Sequence, residues 1–101
     1  MEEKVFGNRV AELRAQKNVS AREMSLAIGQ NESYINRIEN GKCFPSMQGF
    51  FYICEYFDIT PQEFFDTSMK VPSKTRELIT LIKKLNPSEL EALSVLLSHW
   101  K

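Results

Sequence analysis

SAREMSLAIGQNESYINRIENG, residues 20–41, is the stretch that decides the fold. Ser20-Ala21-Arg22-Glu23 reads as a capping box: the Ser20 hydroxyl accepts from the amide near Glu23, and the Glu23 carboxylate returns a bond. It opens a short helix whose apolar positions are Met24, Ala27 and Ile28. Gly29 ends that helix, because a residue without Cβ takes positive φ cheaply. Asn31 then caps a further helix from Glu32 to about Asn40, with Ile35 and Ile38 pointing inward. Gly41 closes it in the same way. Only a few residues separate the two helices, and a tight corner containing Gly between two short helices is a helix-turn-helix signal.

Helical periodicity continues on both sides. Upstream, Val5 to about Lys17 places Phe6, Val10 and Leu13 on one face, with Ala11 beside them, until Asn18-Val19 breaks the pattern. Downstream, Pro45-Ser46 introduces a fourth helix from about Met47 to Phe57. Its apolar positions, Met47, Phe50, Phe51, Ile53, Cys54 and Phe57, exceed one face and imply contact with several neighbours. Gly49 inside it costs roughly 1 kcal/mol of helix propensity relative to Ala, and close approach of another helix is one reason to keep it. Thr60-Pro61-Gln62-Glu63 is a second capping box, starting a short fifth helix that ends near Phe65-Asp66. Residues 67–72 read as a linker. A sixth helix spans about Ser73 to Leu85, and Asn86-Pro87-Ser88-Glu89 starts a last one carrying Leu90, Leu93, Leu96, Leu97 and Trp100. No strand pattern of useful length occurs. The expected organisation is all-α: a five-helix domain over 1–66, a linker at 67–72, and a two-helix element over 73–101.

The chain has 101 residues, of which 43% are apolar and seven are Phe, enough for one small core. Cys43 and Cys54 suggest no disulfide framework, and their spacing matches no zinc-ligand pattern, so neither metal nor cofactor is expected. No apolar run is long enough to cross a membrane, and the acidic Met1-Glu2-Glu3 is unlike a secretory leader. A cytoplasmic location is the expectation. Net charge is zero, distributed as +1 over residues 1–42, −4 over 43–69 and +3 over 70–101. Non-specific nucleic-acid affinity is mostly phosphate neutralisation, so a binder with this balance depends on placed contacts rather than on a strong overall field.

The chain resembles the phage-repressor/Cro-type (XRE-like) helix-turn-helix family. The resemblance runs through Phe6-Gly7-Asn8-Arg9-Val10-Ala11-Glu12-Leu13-Arg14 and Val19-Ser20-Ala21-Arg22-Glu23-Met24-Ser25-Leu26-Ala27. It continues in Ser33-Tyr34-Ile35-Asn36-Arg37-Ile38-Glu39-Asn40-Gly41-Lys42, Pro45-Ser46-Met47 and Phe57-Asp58-Ile59-Thr60-Pro61-Gln62-Glu63-Phe64-Phe65. Together these pieces cover about residues 6–66. The resemblance implies a five-helix lambda-repressor-like domain with its third helix in the major groove and its second across the backbone. It also implies an ion pair between Arg14 and Glu39. Relatives often carry Gln after the cap of the second helix, where it touches a phosphate; this chain has Ala21 there.

In such a recognition helix the leading residues reach base edges. Here they are Glu32, Ser33, Asn36 and Arg37. Arg37 suits guanine O6 and N7, Asn36 suits adenine, Ser33 suits either, and Glu32 can accept from cytosine N4 while repelling phosphates. A solvated surface face is the plainer reading of all four. Arg22, Asn40 and Lys42 are candidate phosphate contacts. Tyr34 either reaches a phosphate or packs between helices. The last apolar stripe, Leu90, Leu93, Leu96, Leu97 and Trp100, needs a cover: the sixth helix, the main domain, or a second copy in a homodimer. The reading that follows is a small transcriptional regulator, a repressor, binding a near-palindromic double-stranded operator. A protein-interaction module with weakened DNA binding, recognising a protein partner, is the alternative. No nucleophile–base constellation or phosphate-cradling motif suggests an enzyme.

Overall fold

A computed structural model describes residues 1–100, leaving Lys101 outside. Among the described residues it is all helical. The helices are α1 (Glu3–Lys17), α2 (Ala21–Ala27), α3 (Tyr34–Glu39), α4 (Met47–Phe57), α5 (Pro61–Phe65), α6 (Pro72–Ile82) and α7 (Pro87–Ser98). None is long and apolar enough to cross a membrane.

Local chemistry explains most boundaries. Ser20 accepts from the Glu23 amide at 2.9 Å, although among the described residues the reciprocal half of that expected box does not form. Both halves form at Thr60/Glu63 and at Asn86/Glu89, each with Pro in the first turn. Ser46 accepts from the Gly49 amide at 3.0 Å and starts α4. Asn18 and Asp58 end α1 and α4 with φ of 58° and 55°, a conformation that Asn and Asp tolerate better than most side chains. Gly29 and Gly41 lie beyond α2 and α3, also at positive φ.

The third helix departs from expectation. It begins at Tyr34, two residues later than Glu32. Asn31 does not cap a helix there. Its Oδ1 accepts from the Ser33 amide at 3.1 Å and the Ser33 hydroxyl at 2.9 Å. This local turn competes with helix, so Glu32 and Ser33 sit in the bend that leads into α3.

One core unites the first five helices. Its buried residues are Phe6, Val10, Leu13, Met24, Ile35, Ile38, Phe50, Ile53, Cys54 and Phe64. Phe64, wholly buried, meets Phe6 at 4.9 Å between centroids and Phe50 edge-on at 5.1 Å. The excess of apolar residues on α4 is not all core: Met47 is 68% and Phe51 47% exposed. Burial pushes the Cys54 thiol up to about 11, and both cysteines are free.

Two features absent from any simple periodicity lock this core. Arg9 is 4% exposed. Its guanidinium donates to the carbonyls of Phe64 (2.6 Å), Glu63 (2.8 Å), Met69 (3.2 Å) and Asp66 (3.3 Å), and pairs with Glu12. It satisfies the open end of α5 and the segment beyond it. Gly7 is the second. A Cβ there would lie 2.3 Å from the Ile38 carbonyl oxygen and 2.9 Å from Glu39 Cα.

Helix α6 is tied to the core at its base. Pro72 is buried, and Arg76 donates to Glu63 at 2.9 Å and to the Asp58 carbonyl at 2.9 Å. Beyond that base the molecule extends through α6 and α7 and measures 52 × 23 × 23 Å. An apolar groove of about 280 Å³ lies between these two helices, lined by Leu78, Leu81, Ile82, Leu85, Leu93 and Leu97.

Two expected outcomes follow from this packing. Gly7→Ala gains about 1 kcal/mol of helix propensity but loses more, about 1–3 kcal/mol, by forcing α1 off the α3 backbone. A lower midpoint in urea unfolding would show it; an unchanged or raised midpoint would contradict the close contact. At Glu63, burial pushes the carboxyl up, but bonds from Thr60 and Arg76 outweigh it and hold it below its ordinary value. A carboxylate held low in the fold contributes stability above the ordinary range of about 4.3 and loses it as pH falls through the folded value. The difference in Tm between wild type and Glu63→Gln should therefore be largest near neutrality and shrink in acid.

Candidate nucleic-acid interface

The corner between α2 and α3 is held by one buried hydroxyl. Ser25 Oγ donates to the Ala21 carbonyl at 2.7 Å and accepts from the Ile35 amide at 3.0 Å. Ser25, Met24, Ile35 and Ile38 are all at 0% exposure. The first-turn amide of α3 is thereby bonded into the flank of α2, which fixes the direction in which α3 runs.

A second anchor sits at the other end of α3. Arg14 Nε donates to Glu39 Oε2 at 2.7 Å and Arg14 Nη2 to Oε1 at 2.9 Å, a two-bond fork. Arg14 Nη1 also reaches the Val19 carbonyl at 2.9 Å, so the same guanidinium braces the turn before α2. The Glu39 hydrogen bond raises the Arg14 pKa despite partial burial. Lys4 Nζ donates to the Glu39 carbonyl at 3.2 Å and covers the C-terminal end of the same helix. Beyond Glu39 the Gly41 amide bonds to Ile38 and the Lys42 amide to Arg37, both at 3.0 Å, and closes α3.

With Ile35 and Ile38 inward, the opposite side of this element faces solvent. Glu32, Ser33, Asn36, Arg37, Asn40 and Lys42 are all exposed. Asn40 Nδ2 donates to the Asn36 carbonyl at 2.8 Å and to Asn36 Oδ1 at 3.0 Å, which orients both amides. Ala21, Arg22, Glu32, Ser33 and Asn36 line a shallow depression between α2 and α3. Arg22 Nε donates to Glu32 Oε2 at 2.9 Å across it. The sequence brings these residues to one face, but the turn at Asn31 sets Glu32 and Ser33 ahead of the helix.

Tyr34 lies at the edge of that face and is half-buried. Its hydroxyl occupies the space above Gly49, where a Cβ would come within 2.5 Å. Burial, and then the nearby Cys43, raise its pKa. Gly49 therefore admits a side chain from α3, which accounts for a glycine inside α4. Leu90, Leu96, Leu97 and Trp100 are exposed on α7 and beyond its end, with Leu93 half-buried.

Sequence reading missed Arg9, Ser25, Lys4 and the space required at Gly7. Arg9 alone left a trace: a cation three residues from Phe6, next to the apolar face of α1.

A family model described as a helix-turn-helix domain matches residues 7–68, more than half of the chain. No curated protein and no solved structure matches.

The Tyr34–Gly49 contact is open to a mutant cycle. Gly49→Ala alone should gain less than the roughly 1 kcal/mol that helix propensity offers, because the Tyr34 hydroxyl must shift, and Tyr34→Phe should restore the gain. The expected coupling is about 0.5–3 kcal/mol by chemical denaturation; strictly additive effects would show that the two side chains do not meet.

Proposed function

Because the chain belongs to the helix-turn-helix domain family of XRE-type transcriptional regulators, we propose that it is a sequence-specific double-stranded-DNA-binding regulator that represses transcription in the cytoplasm. It works by binding rather than by catalysis. The observation that carries the reading is the two-sided character of α3: Ile35 and Ile38 are wholly buried, while Ser33, Asn36 and Arg37 are exposed beside them. An element held this rigidly with a polar face outward can enter a major groove. Arg37 then reads guanine, Asn36 reads adenine, and Ser33 and Glu32 meet bases at the leading edge. Arg22, Asn40 and Lys42 contact phosphates, with the Tyr34 hydroxyl beside them.

The regulator acts as a homodimer through α6 and α7. Leu96 and Leu97 are 56% and 59% exposed, Trp100 is 73% exposed, and the leucine-lined groove lies alongside. A surface of that kind on a small chain calls for a cover. A twofold pair reads two half-sites about one helical turn, roughly 10 base pairs, apart.

Selection of duplexes from a random library is the direct test. It should return a near-palindromic consensus. Arg37→Ala and Asn36→Ala should each relax one position at a cost of about 1–3 kcal/mol, whereas Lys42→Ala should weaken all sequences alike and flatten the salt dependence. Leu97→Glu should leave the helical content intact and give a monomer in sedimentation. A library that returns no enriched sequence would favour the alternative, a helix-turn-helix module that binds a protein partner. The pairing of Arg22 with Glu32, together with zero net charge, is the observation on that side.

A further inference from the structure

One charge contact crosses the open face that carries α2 and α3. The Arg22 and Glu32 side chains pair at 2.9 Å while remaining 69% and 66% exposed. The pair joins the start of α2 to the turn before α3, above the floor formed by Ala21, Ser33 and Asn36. The Ala21 methyl leaves that floor open. Exposed ion pairs contribute little to stability, and the corner is already fixed by the Ser25 bonds to Ala21 and Ile35. The consequence of the pair lies in charge: a cation beside the leading edge of α3 already has an anionic partner.

We propose that the Arg22–Glu32 pair is an electrostatic gate on DNA selectivity. Glu32 holds the Arg22 guanidinium away from the phosphate backbone. It releases it only on a duplex that offers the carboxylate a donor of its own, the exocyclic amino group of cytosine. The inference rests on the DNA-binding reading above. A carboxylate is acceptor-only, and so is a phosphodiester, so the two compete for one guanidinium. On arbitrary DNA, a phosphate that takes Arg22 leaves Glu32 unpaired beside further negative charge. Where a cytosine N4 amino group stands opposite Glu32, the carboxylate exchanges one donor for another and Arg22 is freed for the backbone. Glu32 then determines specificity by excluding wrong sites as well as by contact, and Arg22 is a phosphate contact available chiefly on the right sequence.

The test uses the full chain as wild type, Glu32→Gln, Arg22→Ala and the double variant. All four should melt alike, since both positions are exposed. Fluorescence anisotropy would measure binding to a random-sequence duplex and to the duplex selected from the library, over a series of salt concentrations. Glu32→Gln should bind the random duplex about two- to fivefold more tightly, with a log–log salt slope steeper by about 0.9, the mark of one added phosphate contact. Its preference for the selected duplex should shrink. In the Arg22→Ala background the same substitution should give a clearly smaller gain, from relief of repulsion alone. An equal gain in that background would mean that Glu32 merely repels DNA, and the gate would be overturned. No gain in either background would overturn it too, with the DNA-binding reading left standing if wild type binds. If no version bound any duplex at any salt, that reading and the gate would fall together.

Discussion

The geometry of the candidate interface depends on how closely α1 approaches the far end of α3. At Gly7 the two backbones come nearer than any side chain permits, with the Ile38 carbonyl oxygen 2.3 Å from where a Cβ would sit. About two turns further along the same face of α1, the Arg14–Glu39 fork fixes the same pair of helices at a second point. Two contacts, one steric and one directional, leave α3 little freedom to roll or slide. The polar face of α3 therefore has a defined heading before any ligand arrives. A charge pair of this kind adds modestly to stability because desolvation offsets much of its attraction; its value here is orientation.

Ser25 does for the beginning of α3 what Arg14 does for its end. It donates to a carbonyl of its own helix and accepts from the amide of the next, so one hydroxyl satisfies the Ile35 amide, which burial would otherwise leave unpaired. Between these anchors α3 is only six residues long. So short a helix has little intrinsic stability. Its order is borrowed from α1 and α2, and for that reason the outward side chains are free to be polar.

The sequence made much of this legible, and the reasons are local. Capping patterns at Thr60 and Asn86, prolines in first turns and glycines past helix ends act within a few residues, so helix positions could be read directly. The resemblance supplied the Arg14–Glu39 partnership, which no spacing argument yields across 25 positions. Asn31 misled because its side chain can cap a helix or close a turn, and the turn won, so the start of α3 shifted to Tyr34. Gly49 was visible as an anomaly, but its cause, the Tyr34 hydroxyl, lies on another helix. Arg9, Ser25 and Gly7 act through contacts distant in sequence, and a single chain does not announce these. Glu32 and Arg22 each carry a local DNA-facing signal, but their pairing crosses ten positions and a turn that no local pattern predicts.

The Arg9 clamp carries a consequence for how the protein comes into being. Its carbonyl partners lie 54 to 60 positions downstream. A ribosome delivers residues in order, so the first helix emerges with a guanidinium whose one early partner is Glu12, and its carbonyl partners arrive only as residues 63–69 clear the exit tunnel. Until then the clamp between the first helix and the end of the fifth cannot close, and a fragment that stops short of those carbonyls would leave a guanidinium facing an unfinished core.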